Sequence, residues 1–86
     1  MITVHKFPLQ LDDLQTVDLP AGAVVLTVQV QYEALALWAR VDTDQPTERR
    51  LIRLVGTGNP IPPGTGAYLG TVQMHGGRLV LHAFEG

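Results

Sequence analysis

Four arginines and one tryptophan give this chain its clearest capacity for recognition chemistry. Arg40, Arg49, Arg50 and Arg53 follow closely on Trp38. Guanidinium forks match the geometry of phosphate and carboxylate oxygens, and an indole offers a stacking surface for a base or a cation. Just beyond Arg53 runs Gly56 to Gly66, GTGNPIPPGTG, with four glycines and three prolines. Backbone amides in such a segment can cradle an anion, and Thr57 and Thr65 add hydroxyls. Asn59 and Ile61 are presented by flanking prolines, and Tyr68 follows at once. An anion-binding reading therefore takes Arg50 or Arg53, Thr57, Asn59 and nearby glycine amides as donors, with Trp38 or Tyr68 as a stacking surface. The plainer reading, favoured here, makes the arginines a solvated sheet face paired with Asp42, Asp44 and Glu48. It makes the loop a proline-stiffened connection or a subunit contact.

Other chemistries find less support. The chain has no serine and no cysteine, so a Ser or Cys triad is excluded. His5, His75 and His82 show neither HxH nor HxxxH spacing, so no zinc site and no cofactor is expected. Asp12-Asp13 and Asp42/Asp44 lie in turn-like segments, where carboxylates form turns more often than acid–base pairs. GTG occurs twice, but it is not a Walker loop, because no GK[ST] follows.

The elements that must position these groups read as short strands. Val24 to Asp42 alternates at period two on both sides of a turn near Glu33, the signature of a half-buried antiparallel hairpin. Val24, Leu26, Val28, Val30 and Tyr32 are expected on one face, and Val25, Thr27, Gln29 and Gln31 on the other. Further strands are expected at Ile2–Leu9, Gln15–Leu19, Glu48–Val55, Tyr68–Met74 and Arg78–Phe84. Pro8 suits an edge, and His75-Gly76-Gly77 suits a hairpin turn. Along Glu48–Val55, Ile52 and Leu54 face the core while Arg49, Leu51, Arg53 and Val55 face a wetter side. In Tyr68–Met74, Tyr68 is expected beside Val72 and Met74. No useful helical period appears. Seven short strands predict an all-β fold, a compact antiparallel sandwich or small open barrel.

At 86 residues the chain is a single domain, 1–86, and one of this size buries only about 60–65% of its extended surface. Its 45% hydrophobic content, with apolar residues on both faces of the central hairpin, predicts a homo-oligomer. The net charge of −2 argues against duplex nucleic acid as a partner. The N-terminus, MITVHKFPLQ, lacks a signal-peptide core, and no apolar run reaches membrane-helix length. The lack of cysteine suits a reducing cytosol.

The order of motifs carries a resemblance. KFPL (Lys6–Leu9), LPAGA (Leu19–Ala23), VQVQ (Val28–Gln31), LWARVD (Leu37–Asp42), GTGNPI (Gly56–Ile61), YLGT (Tyr68–Thr71) and HGGRLVLHAFE (His75–Glu85) together resemble a family of small proteins of tailed phages and prophages. That family is a domain of unknown function. The resemblance implies a phage accessory protein in the bacterial host cytoplasm, and it transfers no residue role. The expected function is non-enzymatic binding of a host protein or small anionic ligand, with inhibition or sequestration of a host-defence component as its purpose. A structural or assembly role in the particle is the alternative, and an enzyme acting on a nucleotide signal is the third reading.

Overall fold

The period-two alternation builds seven strands in the computed structural model, which describes residues 1–86. They are β1 (Ile2–Pro8), β2 (Leu14–Pro20), β3 (Val24–Gln31), β4 (Ala34–Asp42), β5 (Thr47–Gly56), β6 (Tyr68–Met74) and β7 (Leu79–Glu85). The order β1-β4-β3 makes one antiparallel sheet and β2-β5-β7-β6 the other. The two layers face each other as an open sandwich. The strands divide between separate sheets, so the barrel alternative is not adopted.

The inward row of β4, Leu35, Leu37, Ala39 and Val41, is almost wholly buried. It meets Leu19 from β2, Ile52 and Leu54 from β5, Val72 from β6 and Ala83 from β7. No polar or charged residue falls in the buried class. Burying a Leu or Ile side chain contributes about 1.5–3 kcal/mol, so this single apolar layer is what holds the sheets together.

Two bulges change which side chains face outward. β3 pairs Val24 with Arg40 and Val25 with Ala39, then Thr27 with Trp38, so Leu26 is the extra residue. A bulge reverses the alternation beyond it. Val25, Val28 and Val30 therefore pack on the core, while Val24, Leu26 and Tyr32 are exposed. The single face expected for Val24, Leu26, Val28, Val30 and Tyr32 is corrected accordingly. β6 shifts register between Tyr68 and Gly70. Tyr68 is consequently not beside Val72 and Met74 on the inner side; it lies exposed against Phe84, ring centroids 5.7 Å apart.

Candidate functional site at one end of the four-stranded sheet

β5 delivers Arg53 and Val55 to the outer face of its sheet and then runs into the glycine- and proline-rich loop. The loop is two tight turns. Asn59 N–H donates to the Gly56 carbonyl at 3.0 Å, with Gly58 at φ 88°, a conformation glycine adopts without steric cost. Thr65 N–H and its hydroxyl both donate to the Pro62 carbonyl, at 3.3 and 2.6 Å. Thr57 N–H to the Val80 carbonyl (3.3 Å) and Gly66 N–H to the Glu85 carbonyl (2.7 Å) fasten both turns to β7. Prolines add no N–H that would need a partner. The sequence thus makes a stiff platform.

That platform folds over Val55, which is buried although it belongs to the outer row of β5. Between the platform and β5 lies a small cleft of about 140 Å³, lined by Asp13, Arg53, Leu54, Val55, Asn59, Pro60 and Pro62. Arg53 is half-buried there, and its Nε is sealed from solvent with no acceptor in reach. Such a group is an exception among buried polar atoms and calls for an explanation. Arg53 makes no ion pair, although Asp13 shares the cleft. The Asn59 side-chain amide folds back over Gly56, where a Cβ would lie 3.0 Å from its nitrogen. The cleft therefore offers the guanidinium and amide as donors. Those donors complement an anionic or carbonyl oxygen.

On the other flank of the Gly56–Asn59 turn runs a chain of side-chain hydrogen bonds. His82 places Nε2 2.7 Å from the Thr57 hydroxyl and Nδ1 2.9 Å from the Thr71 hydroxyl, which lies 2.6 Å from the Tyr68 hydroxyl. A neutral imidazole donates through one nitrogen and accepts through the other, so the chain runs with one polarity along its length. Its two ends, Thr57 and Tyr68, are exposed. Both imidazole nitrogens are held by threonines, and no carboxylate orients the ring as a triad base would need. The chain fixes donors and acceptors in place.

Of the residues singled out from sequence, Arg53, Thr57, Asn59 and Tyr68 gather at this end of the sheet. Arg50 and Trp38 do not. Arg50 lies in the inward row of β5, where its guanidinium makes a two-point contact with Glu85 and donates to the Ala23 carbonyl at 2.8 Å. Those contacts occupy its fork in tying β5 to β7 and to the β2–β3 turn. Trp38 stands on the outer face of the other sheet, with Lys6 Nζ 5.8 Å from its ring centroid. Of the expected acidic pairing, Arg50 lies 3.8 Å from Glu48, while Arg49 meets Asp18 at 3.9 Å. No group of three His, Cys, Asp or Glu is placed to hold a metal ion.

His82, Thr71 and Asp13 are not among the site residues expected from sequence, where His82 is weighed only as a metal ligand and Asp13 only as a turn or acid–base carboxylate. The first two were accessible: counting outward from the Gly-Gly turn pairs Met74 with Leu79 and hence Thr71 with His82. Asp13 had no such signal, because it precedes β2 and reaches the cleft only through the β2–β5 pairing.

Fold and site together define a small β-sandwich with a stiff loop platform and a polar cleft at one end. A family model described as a domain of unknown function, DUF7352, matches residues 1–86, and the chain belongs to that family. No curated protein and no solved structure matches it. No helix is long and apolar enough to cross a membrane.

Proposed function

We propose that this domain is a non-enzymatic binding module that engages its ligand or partner through the Arg53–Asn59 cleft and the adjoining Thr57–His82–Thr71–Tyr68 chain. The observation that carries the reading is Arg53: a half-buried guanidinium whose sealed Nε has no partner within the chain. The terminal guanidinium nitrogens are not sealed and make no hydrogen bond or ion pair within the chain, so they are the atoms free to donate to a ligand oxygen in the cleft. The resemblance of the motif order to a family of tailed-phage proteins is what supports reading it as a phage accessory protein working in the host cytoplasm, where sequestration of a host-defence component, protein or small ligand, fits a module of this size.

A structural or assembly role is the second reading, favoured by the exposed apolar face of the three-stranded sheet. Mass spectrometry of purified virions separates the two, since an assembly component is carried in the particle and an early inhibitor is not. For the first reading, the tagged protein and its Thr57→Ala/Asn59→Ala variant are used to capture material from infected host lysate, followed by native mass spectrometry. Capture by the wild type and its loss in the variant, with assembly unchanged, is expected. Equal capture by both removes the cleft from the account.

A further inference from the structure

The outer face of the three-stranded sheet is the least explained surface of the molecule. Across it, the register places Ile2 beside Asp42, Val4–Arg40–Val24 in the next row and Lys6–Trp38–Thr27 in the third, with Leu26 bulged out alongside. Ile2, Val4, Val24 and Leu26 are 57, 51, 52 and 53% exposed. Isolated exposed aliphatics are ordinary, but these four ring one arginine on one flat face. Together they present roughly 350 Å² of surface, within the roughly 300–600 Å² of the largest patch on a typical monomer, which is often functional. Trp38, Pro8 and the stems of Lys6 and Arg40 extend it further. The bulge in β3 sets Leu26 and Thr27 side by side on this face and returns Val28 to the core.

We infer that this face is a self-association interface, on which a second copy of the chain packs sheet to sheet about a two-fold axis. Two observations select a second copy as the occupant. The first is size. Two such patches remove roughly 700 Å², and with Trp38, Pro8 and the polar rim the total reaches the roughly 1,000 Å² that a specific interface needs. The second is charge. Arg40 is exposed in the middle of the patch and makes no ion pair or side-chain hydrogen bond within the chain. Asp42 lies one row away on the same strand and the same face; its carboxylate accepts from the Asp44 N–H and the Gln45 side chain and lies 3.4 Å from the N-terminal ammonium, which leaves lone pairs for a further donor. A two-fold axis passing near Val41 sets Arg40 of one copy against Asp42 of the other, and the same pair recurs by symmetry. Lone aliphatics beside an uncompensated arginine on the monomer become paired rows in the dimer. The four-stranded sheet also exposes Leu14, Leu51 and Tyr68, but Arg49, Thr71 and Gln73 are interspersed on that outer face. The recognition cleft, on that opposite layer, stays open in such a dimer, so one assembly would carry two cleft sites pointing away from each other.

Size-exclusion chromatography with light scattering tests the proposal on the full chain at about 100 μM, a concentration at which an interface with a dissociation constant of about 10 μM or below is mostly dimeric. The wild type should run at twice its 9.3 kDa mass, and its melting temperature should rise with concentration. Leu26→Glu should give a monomer with an unchanged circular dichroism spectrum, because the side chain points away from the core. Arg40→Asp, which sets like charges across the axis and cannot disturb packing within the sheet, should do the same. Leu14→Glu, an equally exposed leucine on the other sheet, should leave the dimer intact. A monomeric wild type at this concentration overturns the inference. So does a dimer that survives Leu26→Glu and Arg40→Asp, or one that Leu14→Glu abolishes.

Discussion

Replacing Arg53 by methionine should leave the fold as stable as before, whereas the same change at Arg50 should weaken it. The two arginines sit three residues apart on β5 and are indistinguishable by type. Arg53 Nε is cut off from water and from any acceptor. A dry, unpaired donor costs about 1–3 kcal/mol, and methionine removes it while keeping an unbranched stem of similar length. Lost hydration of the guanidinium tip offsets part of that gain, so the expected change lies between about zero and 1 kcal/mol of added stability. Arg50 is the opposite case. Its side chain is 21% exposed, its partner Glu85 27% exposed, and the Ala23 carbonyl accepts a third bond. Removing one partner of a fully buried pair costs about 3–5 kcal/mol; water reaching Glu85 trims this to about 2 kcal/mol here. With a urea slope of about 1–1.5 kcal/mol per molar for a domain of this size, the Arg50→Met midpoint should fall by about 1.5 M. The Arg53→Met midpoint should hold or rise. Fluorescence of Trp38, the one tryptophan, follows both transitions. Equal falls would refute the reasoning, because they would make Arg53 a structural group with partners of its own.

Two further outcomes follow from the packing and the ionisation of the sandwich. Leu37→Ala should cost about 2–5 kcal/mol in urea unfolding, since Leu37 is wholly buried mid-strand, while Arg49→Ala, 74% exposed and 3.9 Å from Asp18, should stay within about 0.5 kcal/mol. The Asp42 carboxyl is held below its ordinary value of 3.8 by the Asp44 N–H, then by the Gln45 side chain, and to a lesser degree by the N-terminal ammonium. A carboxyl with a depressed folded-state pKa adds stability above its unfolded value and loses it as pH falls through the folded one. The urea midpoint of Asp42→Asn should therefore change less than that of the wild type between about pH 5 and pH 2. An identical acid limb in both proteins would show that the Asp42 contacts contribute nothing in solution.

How far the sequence disclosed the molecule depended on whether strand alternation ran unbroken. β4 and β7 alternate without interruption, and their core rows, Leu35 to Val41 and Leu79 to Ala83, fall where period two puts them. β3 and β6 each carry a bulge, and one extra residue reverses every assignment on one side of it. Leu26 and Tyr68 were misplaced for that reason alone, and nothing in the residue types around them announces the shift. The site was half legible. Glu48–Val55 leads into the loop and Tyr68 leaves it, so chain continuity alone brought Arg53, Thr57, Asn59 and Tyr68 together. Separating Arg50 from Arg53 required Glu85, which arrives through the β5–β7 pairing some thirty-five residues on. Trp38 was grouped with the arginines by proximity in sequence, but β4 and β5 belong to different sheets. A connection that changes layers carries neighbours in sequence to opposite sides of the core.

The account turns on the Arg53 guanidinium being an unpaired donor that a ligand completes. Its Nε–Hε group can be watched directly by ¹H–¹⁵N nuclear magnetic resonance during titration with N-acetylglycine, which carries both a carboxylate and an amide N–H. A saturable shift at Arg53 Nε–Hε and at the Asn59 side-chain amide, with Arg50 Nε–Hε unmoved, is the predicted result. No saturable shift at Arg53, or one centred on Arg50, would contradict it.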